Sequence, residues 1–219
     1  MLKVYHILVK ISNKIRCFCK FLCIFLFFPN IFDIISYKNG KETNFMKKIL
    51  FKGAGSAVPT PFNENGVNLE EFKRFLQFQI DNDIDALIVC GTTGESSTMT
   101  KDEKIAVIKC AVQIANKNKT STRKIPVIAG TGSNNTKEAI EMSKIAESLG
   151  VDGLLVVTPY YNKTTQKGLI AHYKAIAENI NIPIILYNVP SRTGLNIEPE
   201  TCLELSKIDN IVAIKEASR

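Results

Sequence analysis

The sequence predicts an α/β fold built around a parallel sheet, and two patterns indicate it. From Phe51 onward, short apolar runs alternate with longer segments in which apolar residues recur at helical spacing. The short runs, such as Ala86–Val89, are apolar at every position, which is typical of strands buried on both faces. Alternation of such strands with helices predicts a parallel sheet with helices packed against it.

The same pattern predicts five strand–helix units followed by a sixth strand. The predicted strands are residues 55–58, 86–89, 126–129, 154–157, 184–187 and 211–215. The first helix is expected behind an N-capping Asn68, because apolar residues recur at helical spacing over residues 69–80. Thr136 is the expected N-cap of the third helix, and Gly150 is expected to close it. The other predicted helices are residues 101–115, 136–149, 166–178 and 199–206.

Two parallel folds fit these elements, a doubly wound sheet and a (β/α)8 TIM barrel. Polar motifs follow the C-terminal ends of the second to sixth strands, and they read GTTGES, GTGSN, TPYYN, YNVPSRTG and KE. The loops at the opposite strand ends hold turn residues and surface charge. A barrel assembles its active site from loops at all the strand C-termini, whereas a doubly wound sheet concentrates its site at one switch point. The distribution therefore favours the TIM barrel.

The first 45 residues differ in composition from the rest of the chain. They contain seven of the twelve phenylalanines, and five of the seven net positive charges lie there. An apolar run of eight residues, 21–28, is much shorter than the roughly 20 needed to cross a bilayer. Met46, followed by two lysines, resembles a natural start. We therefore expect residues 1–45 to be a leader outside the fold, and residues 46–219 to form the catalytic domain.

Charge, histidine and cysteine usage exclude several classes of function. Residues 46–219 carry a net charge of only +2, which argues against nucleic-acid binding. The two histidines, His6 and His172, fall in the leader and on a predicted helix, so neither a Ser-His-Asp triad nor a histidine metal site is expected. No metal-ligand spacing links the cysteines of the body, which are predicted to be buried free thiols in the cytoplasm; they are Cys90, Cys110 and Cys202.

Lys215 ends the last predicted strand and is the candidate nucleophile. A period of two puts Ile211, Ala213 and Lys215 on one face of the strand, and Val212 and Ile214 on the other. One interpretation is a lysine whose stem covers apolar surface while its ammonium stays in water. The other is a lysine in a low-dielectric site, where a lowered pKa frees a neutral amine to attack a carbonyl.

Other polar residues at the same strand ends would suit such a site. Tyr187 ends the neighbouring strand at the same height, and its phenol could relay protons or be an ordinary core aromatic. The turn that holds Thr92 and Thr93 offers hydroxyls and backbone N–H groups, although an ordinary turn has the same composition. Arg192 is suited to bidentate carboxylate binding or to the solvated surface. Tyr161 is expected at an interface or a neighbouring site.

Five motifs, in order, resemble those of the 4-hydroxy-tetrahydrodipicolinate synthase family, also called dihydrodipicolinate synthase. They are GTTGES, AGTGSN, VTPYYN, LYNVPSRTG and AIKEA, and the resemblance runs from Phe51 to Ser218. It implies a TIM-barrel enzyme of the pyruvate-dependent class I aldolase superfamily. Such an enzyme condenses pyruvate with aspartate semialdehyde during lysine biosynthesis, without a cofactor or a metal, and is cytoplasmic. A homo-oligomer, a dimer of dimers, is also implied.

The resemblance also implies a role for each candidate residue. Lys215 would form the Schiff base with pyruvate, and Tyr187 would shuttle protons through Thr92 and through Tyr161 of a neighbouring subunit. Thr93 would hold the pyruvate carboxylate, and Arg192 the carboxylate of the semialdehyde. A candidate site for inhibition by lysine matches seven residues: Ser96, Ser97, Lys101, Lys104, Asn134, Glu138 and Tyr160. Sensitive relatives typically have histidines where Lys101 and Lys104 stand, so we expect insensitivity to lysine.

The length of the chain leaves two alternatives open. A (β/α)8 barrel takes roughly 250 residues, and residues 46–219 fall short of that, so we expect a barrel truncated after about the sixth strand. An inactive, poorly soluble fragment with an exposed apolar edge is one alternative. The other is a sibling pyruvate lyase of the N-acetylneuraminate lyase type, which shares the lysine and the tyrosine. Arg192 favours the synthase, because an arginine suits a small semialdehyde acid.

Overall fold

The computed structural model describes residues 49–120 and 122–218, so the leader and Met46 lie outside the described residues. In chain order the strands are β1 (Gly55–Ala57), β2 (Phe62–Asn63), β3 (Gly66–Val67), β4 (Ala86–Val89), β5 (Val127–Gly130), β6 (Gly153–Val157), β7 (Ile184–Asn188) and β8 (Ile211–Glu216). The helices are α1 (Leu69–Asp81), α2 (Lys101–Lys117), α3 (Thr136–Ser148), α4 (Gln166–Ala177), α5 (Pro190–Thr193) and α6 (Pro199–Leu205).

Six of these strands form one parallel sheet in the order β1-β4-β5-β6-β7-β8. Sequential strands of this sheet are therefore neighbours, and helices separate them, as in the first five strand–helix units and the sixth strand of a TIM barrel. The predicted strands and helices agree with the structure to within two residues at each end. The small β2–β3 hairpin and the four-residue helix α5 were not predicted. No helix among the described residues combines the length and the hydropathy that a membrane span requires.

Helices α1 to α4 begin with side-chain caps, and one cap differs from the prediction. Asn68 accepts a hydrogen bond from the N–H of Glu71 at 3.1 Å, as expected for the start of α1. The prediction that Thr136 caps α3 is wrong. The cap is Asn135, whose side chain accepts from the N–H groups of the second and third helical residues. Asn135 has the extended backbone of a cap residue, and its short carbonyl arm reaches those donors, whereas Thr136 is already helical.

The sheet is buried on both of its faces, as predicted. On the helix side, large residues such as Leu87 and Leu154 pack against α1 to α4 and are fully buried. On the other side lies a second group of buried residues, here called the interior cluster: Phe51, Ala86, Ile88, Ile128, Leu155, Ile185, Tyr187, Val189 and Ala213. In β4 to β7, alternate residues belong to the two groups, so the chain alternates between the helix layer and the interior.

A bulge in β8 corrects the predicted facing of its first residue. Ile184 pairs with Ile211, but Ile185 pairs with Ala213, so Val212 is an extra residue in the ladder. Ile211 consequently packs with the helix-side core, while Ala213 belongs to the interior cluster. The prediction that Ile211 shares a face with Ala213 and Lys215 is therefore wrong, because an extra residue reverses the alternation. The prediction that Val212 lies opposite Ala213 is wrong as well, because Val212 packs against the interior cluster. Beyond the bulge, Ala213 and Lys215 keep the expected alternation.

The cysteines of the body are free, and two of the three are buried. Cys90 is 2% exposed and Cys110 is 4% exposed, whereas Cys202 on α6 is half-buried. Burial raises the pKa of Cys90 to about 12, although the charge of Lys104 acts in the opposite direction. This thiol is therefore protonated and unreactive at neutral pH.

His172 is the buried titratable group that joins α3 to α4. Its Nδ1 lies 2.9 Å from the hydroxyl of Thr136, and its ring meets Tyr173 edge-on with 5.4 Å between centroids. Its Nε2 is buried and has no hydrogen-bond partner within residues 49–120 and 122–218. Burial lowers the pKa of His172 from 6.5 to about 4. The folded protein therefore holds this imidazole neutral.

We predict that His172 makes the fold sensitive to acid between pH 6.5 and pH 4. The unfolded chain binds a proton at His172 near pH 6.5, whereas the folded chain binds it only near pH 4. The unfolded state thus holds more protons in this window, and stability falls as pH falls through it, by on the order of 2–3 kcal/mol. Denaturant unfolding at a series of pH values measures the effect.

Two variants isolate the contribution of His172 from that of the carboxylates. His172→Gln should remove this part of the pH dependence, and Thr136→Val should keep it, since the valine variant retains the buried imidazole. A His172→Gln variant with the wild-type dependence across pH 6.5 to 4 would contradict the assignment.

Candidate active site

Lys215 and Tyr187 lie side by side at the C-terminal ends of β8 and β7. Their Cα atoms are paired in the parallel ladder, so the two residues stand at the same height, as predicted. The Nζ atom of Lys215 is 4.3 Å from the centroid of the Tyr187 ring. Tyr187 is 6% exposed within the interior cluster, and Lys215 is half-buried. The amine thus lies against an aromatic surface, next to a phenol that can exchange protons.

The turn after β4 presents Thr92 and Thr93. Two backbone hydrogen bonds fold it, from the N–H of Gly94 to Gly91 and from the N–H of Glu95 to Thr92, each 3.1 Å long. Thr92 is exposed and Thr93 is half-buried. Glycine is needed at position 94, because a Cβ there would lie 3.0 Å from the carbonyl oxygen of Val58.

Thr60 holds this turn in place, and the sequence reasoning missed it. Its side chain is 5% exposed, and its hydroxyl donates a 2.8 Å hydrogen bond to the carbonyl of Gly94. Thr60 follows β1 at the end of the sheet where the candidate residues lie. The rule that polar residues follow the strand C-termini could have found it, had it been applied to the first strand.

Arg192 is carried by α5, in the loop that follows β7. Pro190 starts this short helix, and Gly194 ends it with a left-handed backbone (φ +68°). The buried hydroxyl of Thr193 lies 3.2 Å from the carbonyl of Val189 and 3.0 Å from that of Leu195, so the loop is braced from inside. Arg192 is exposed and forms no ion pair with any residue that the structure describes. Its guanidinium is available to a ligand.

A cleft of about 410 Å³ opens beside these loops. Thr92 and Arg192 line it, whereas Thr93, Tyr187 and Lys215 are not among its lining residues. Six of the seven residues of the candidate effector site also line it, namely Ser96, Ser97, Lys101, Lys104, Glu138 and Tyr160. Asn134 is not among the lining residues, and its carbonyl accepts a hydrogen bond from Asn162 at 3.4 Å.

The charges in the cleft are partly matched. The Nζ of Lys101 lies 4.0 Å from a carboxylate oxygen of Glu141, and Glu138 accepts a 3.0 Å hydrogen bond from the hydroxyl of Ser133. Lys104 has no ion pair in the part of the chain that the structure describes. No group of histidine, cysteine and acidic residues that could hold a metal ion occurs in residues 49–120 and 122–218.

Tyr161 stands apart from the other candidate residues. Its side chain is 91% exposed and its backbone is left-handed (φ +67°), while the neighbouring Tyr160 is 37% exposed. A tyrosine this exposed makes almost no contact within its own chain. A single copy of the chain therefore does not bury Tyr161 in the site, and its role towards a neighbouring copy stays a prediction.

Comparison with known proteins identifies the family. The profile of the Dihydrodipicolinate synthetase family matches residues 50–219. Among curated relatives, the 4-hydroxy-tetrahydrodipicolinate synthase of Clostridium novyi is 60% identical over 169 residues, which are 77% of this chain and 55% of the relative. The enzyme of that name from Acetivibrio thermocellus is 58% identical over 173 residues, which are 79% of this chain and 57% of the relative.

Solved structures agree with the sequence comparison. The dihydrodipicolinate synthase of Thermotoga maritima is 45% identical with a TM-score of 0.72, over 77% of this chain and 56% of that one. The enzyme from Aquifex aeolicus is 48% identical with a TM-score of 0.69, over 74% and 54%. The chain thus spans about half the length of the relatives that it matches. The matched stretch takes in the whole sheet together with Lys215, Tyr187 and Arg192, and the chain belongs to the dihydrodipicolinate synthetase family.

Proposed function

We propose that the protein condenses pyruvate with L-aspartate 4-semialdehyde to give 4-hydroxy-tetrahydrodipicolinate, in the diaminopimelate route to lysine. The observation that carries the proposal is the 4.3 Å contact between the Nζ of Lys215 and the ring of Tyr187, at the strand ends of a parallel sheet. Imine chemistry needs at least a primary amine that attacks the carbonyl and a neighbouring group, here a phenol, that transfers protons. The names of the relatives give the product, and the resemblance of the sequence motifs implies the two substrates.

In the proposed chemistry, the amine of Lys215 attacks the ketone carbon of pyruvate, and loss of water leaves an imine. The imine withdraws electrons from the neighbouring methyl group, so that this carbon loses a proton. The imine thereby becomes an enamine. The enamine carbon then attacks the aldehyde of the second substrate. The amino group of that substrate finally displaces Lys215 and closes the ring. Tyr187 exchanges the protons of these steps, and the covalent lysine removes the need for a cofactor or a metal.

Two anion-binding elements would hold the substrate carboxylates. The turn at Thr93 offers a hydroxyl and backbone N–H groups to the carboxylate of pyruvate. Arg192 offers a guanidinium fork to the carboxylate of the semialdehyde. Its place on a braced loop beside Thr92 supports the synthase reaction over a lyase of the N-acetylneuraminate type. Thr92 would pass protons between Tyr187 and the bulk solvent.

The proposal includes assembly into a homo-oligomer, a dimer of dimers. The 91% exposure of Tyr161 supports it, because an aromatic side chain held out from its own chain fits a neighbouring copy. Tyr161 would then complete the proton relay of the second site. The free thiols of Cys90 and Cys110 support a reducing compartment, and the cytoplasm is the proposed location.

We predict that borohydride traps pyruvate on Lys215. The reductant converts an imine into a stable secondary amine, and peptide mass analysis should locate that adduct on Lys215. Lys215→Arg should abolish it, because a guanidinium does not form the imine. Lys109→Ala, which removes an exposed lysine of α2, should leave it intact. An adduct on another lysine, or no adduct in the unaltered protein, would rule out the proposed mechanism.

Arg192→Ala should raise the KM for aspartate semialdehyde while pyruvate still forms its imine. Loss of a charge-assisted hydrogen-bonded contact weakens binding by about 1.5–3 kcal/mol. Steady-state kinetics with each substrate varied in turn would measure the change. Ser191→Ala, which alters the exposed neighbour on α5, is the matched control. If imine formation falls instead and the KM for the semialdehyde holds, Arg192 has another role.

The protein should be insensitive to millimolar lysine. An ε-ammonium that enters the cleft meets Lys104, which forms no ion pair with the described residues, and Lys101, which Glu141 balances only in part. Repulsion between like charges about 4 Å apart is roughly 1–4 kcal/mol. Replacing both lysines by histidine should create sensitivity, because neutral imidazoles can accept hydrogen bonds from the ammonium.

Inhibition curves with lysine test this prediction directly. Lys109→His, on the same helix but outside the cleft, should change nothing. Half-maximal inhibition of the unaltered protein below the millimolar range would contradict the charge argument.

A further inference from the structure

Asn188 follows Tyr187 directly and is 1% exposed. Its amide nitrogen donates to both carboxylate oxygens of Glu216, at 3.1 and 2.9 Å, and to the side-chain oxygen of Asn196 at 2.8 Å. Its amide oxygen accepts from the N–H of Ile197 at 3.0 Å. The nitrogen and the oxygen of the amide are therefore both engaged, and one acceptor is a charged carboxylate, which makes those bonds the stronger kind.

These contacts lie directly beside Tyr187 and Lys215 in the sheet. Asn188 and Glu216 are paired in the parallel ladder, immediately after the pair formed by Tyr187 and Lys215. Successive residues of a strand point to opposite faces. Lys215 and Tyr187 thus face the interior, while Asn188 and Glu216 join the same two strands from the outer face. The N–H of Ala217 donates to the carbonyl of Asn188 at 2.9 Å and extends the ladder by one more bond.

Asn188 also holds the segment that follows the loop of Arg192. Through Asn196 and Ile197 it fixes the chain just after α5. Gln166 supports that segment from α4, because it donates to the carbonyl of Asn196 at 2.8 Å. One buried amide thus connects the end of β7, the end of β8 and the loop that carries Arg192.

We propose that Asn188 and Glu216 are positioning residues that set the height and separation of Lys215 and Tyr187. The inference rests on the proposed function and adds two residues to it, neither of which touches the substrates. A reacting amine must approach its carbonyl within a narrow range of distance and angle, and a misplacement of about 1 Å can slow a reaction about 100-fold. Hydrogen bonds one residue away from the reacting pair, between the last residues of the two strands, control that geometry.

The test exchanges the hydrogen-bond donor and acceptor between Asn188 and Glu216. In Asn188→Asp, a carboxylate replaces the donor and faces the Glu216 carboxylate, so the hydrogen bonds are lost and two like charges meet. In the double variant Asn188→Asp with Glu216→Gln, the new amide donates to the new carboxylate and the link re-forms in reverse. We expect kcat of the single variant to fall about 10- to 100-fold, with the KM for pyruvate little changed because the turn at Thr93 is untouched. The double variant should recover most of the loss.

Three measurements decide the outcome. Borohydride trapping gives the rate of imine formation and the fraction of competent sites, so kcat is expressed per competent site, and thermal melts report the folded fraction. A loss that disappears when kcat is expressed per competent site would mean that Asn188 only stabilises the fold, and would overturn the inference. A double variant no faster than Asn188→Asp would overturn it as well.

The proposed function fails separately, if the unaltered protein forms no adduct on Lys215. Crystal structures of the single and double variants then test, without reference to catalysis, whether Asn188 and Glu216 position Lys215 and Tyr187. An unchanged distance between the Nζ of Lys215 and the ring of Tyr187 in Asn188→Asp would overturn it, and a change that the double variant reverses would support it.

Discussion

The ladder between β7 and β8 is the constraint on which the rest of the site depends. It brings Lys215 level with Tyr187, because the Cα atoms of the two residues are paired across the two strands. A parallel sheet makes this possible, because all its strands end at one edge and their terminal side chains meet there. The helices, the caps and the core serve to hold that edge rigid. Chemistry that needs an amine and a phenol at fixed separation can therefore be built from two single residues.

The sequence was sufficient for the elements and for the pairing of Lys215 with Tyr187, since buried strands and capped helices leave strong local patterns. It was insufficient where the outcome depends on tertiary structure. The extra residue at Val212 leaves no mark in a run of apolar letters, and Asn135 and Thr136 are both good caps. The hairpin β2–β3 and helix α5 are too short for a periodic signal. The link from Asn188 to Glu216 joins residues 28 positions apart and exists only once the strands are adjacent.

The cleft and the candidate active site share two residues, so a ligand bound in one could affect the other. Thr92 and Arg192 line the cleft together with residues of α2 and α3, so a molecule bound there would touch both Thr92, the proposed proton-relay residue, and the loop of Arg192. Coupling between the cleft and catalysis would need no long pathway, because the two share side chains. Replacing Lys101 and Lys104 by histidine would change the charge of the cleft, and so the ligands that it can bind. It would leave Lys215 and Tyr187, which do not line the cleft, unaltered.

The bulge at Val212 bears on how this strand can change over generations. Ile211 before it and Ile214 after it pack with the helix-side core, while Val212 and Ala213 pack with the interior cluster. The extra residue is therefore absorbed at the bulge, and the strand alternates normally beyond it. Side chains on either half can drift within the usual limits of a core. The spacing between Ile211 and Lys215 can lose one residue, since a ladder without the extra residue would still pair Ile211 with Ile184 and Lys215 with Tyr187. One more residue would need a second bulge to keep that pairing. The bulge therefore gives this strand a tolerance for the loss of one residue that a regular ladder would lack.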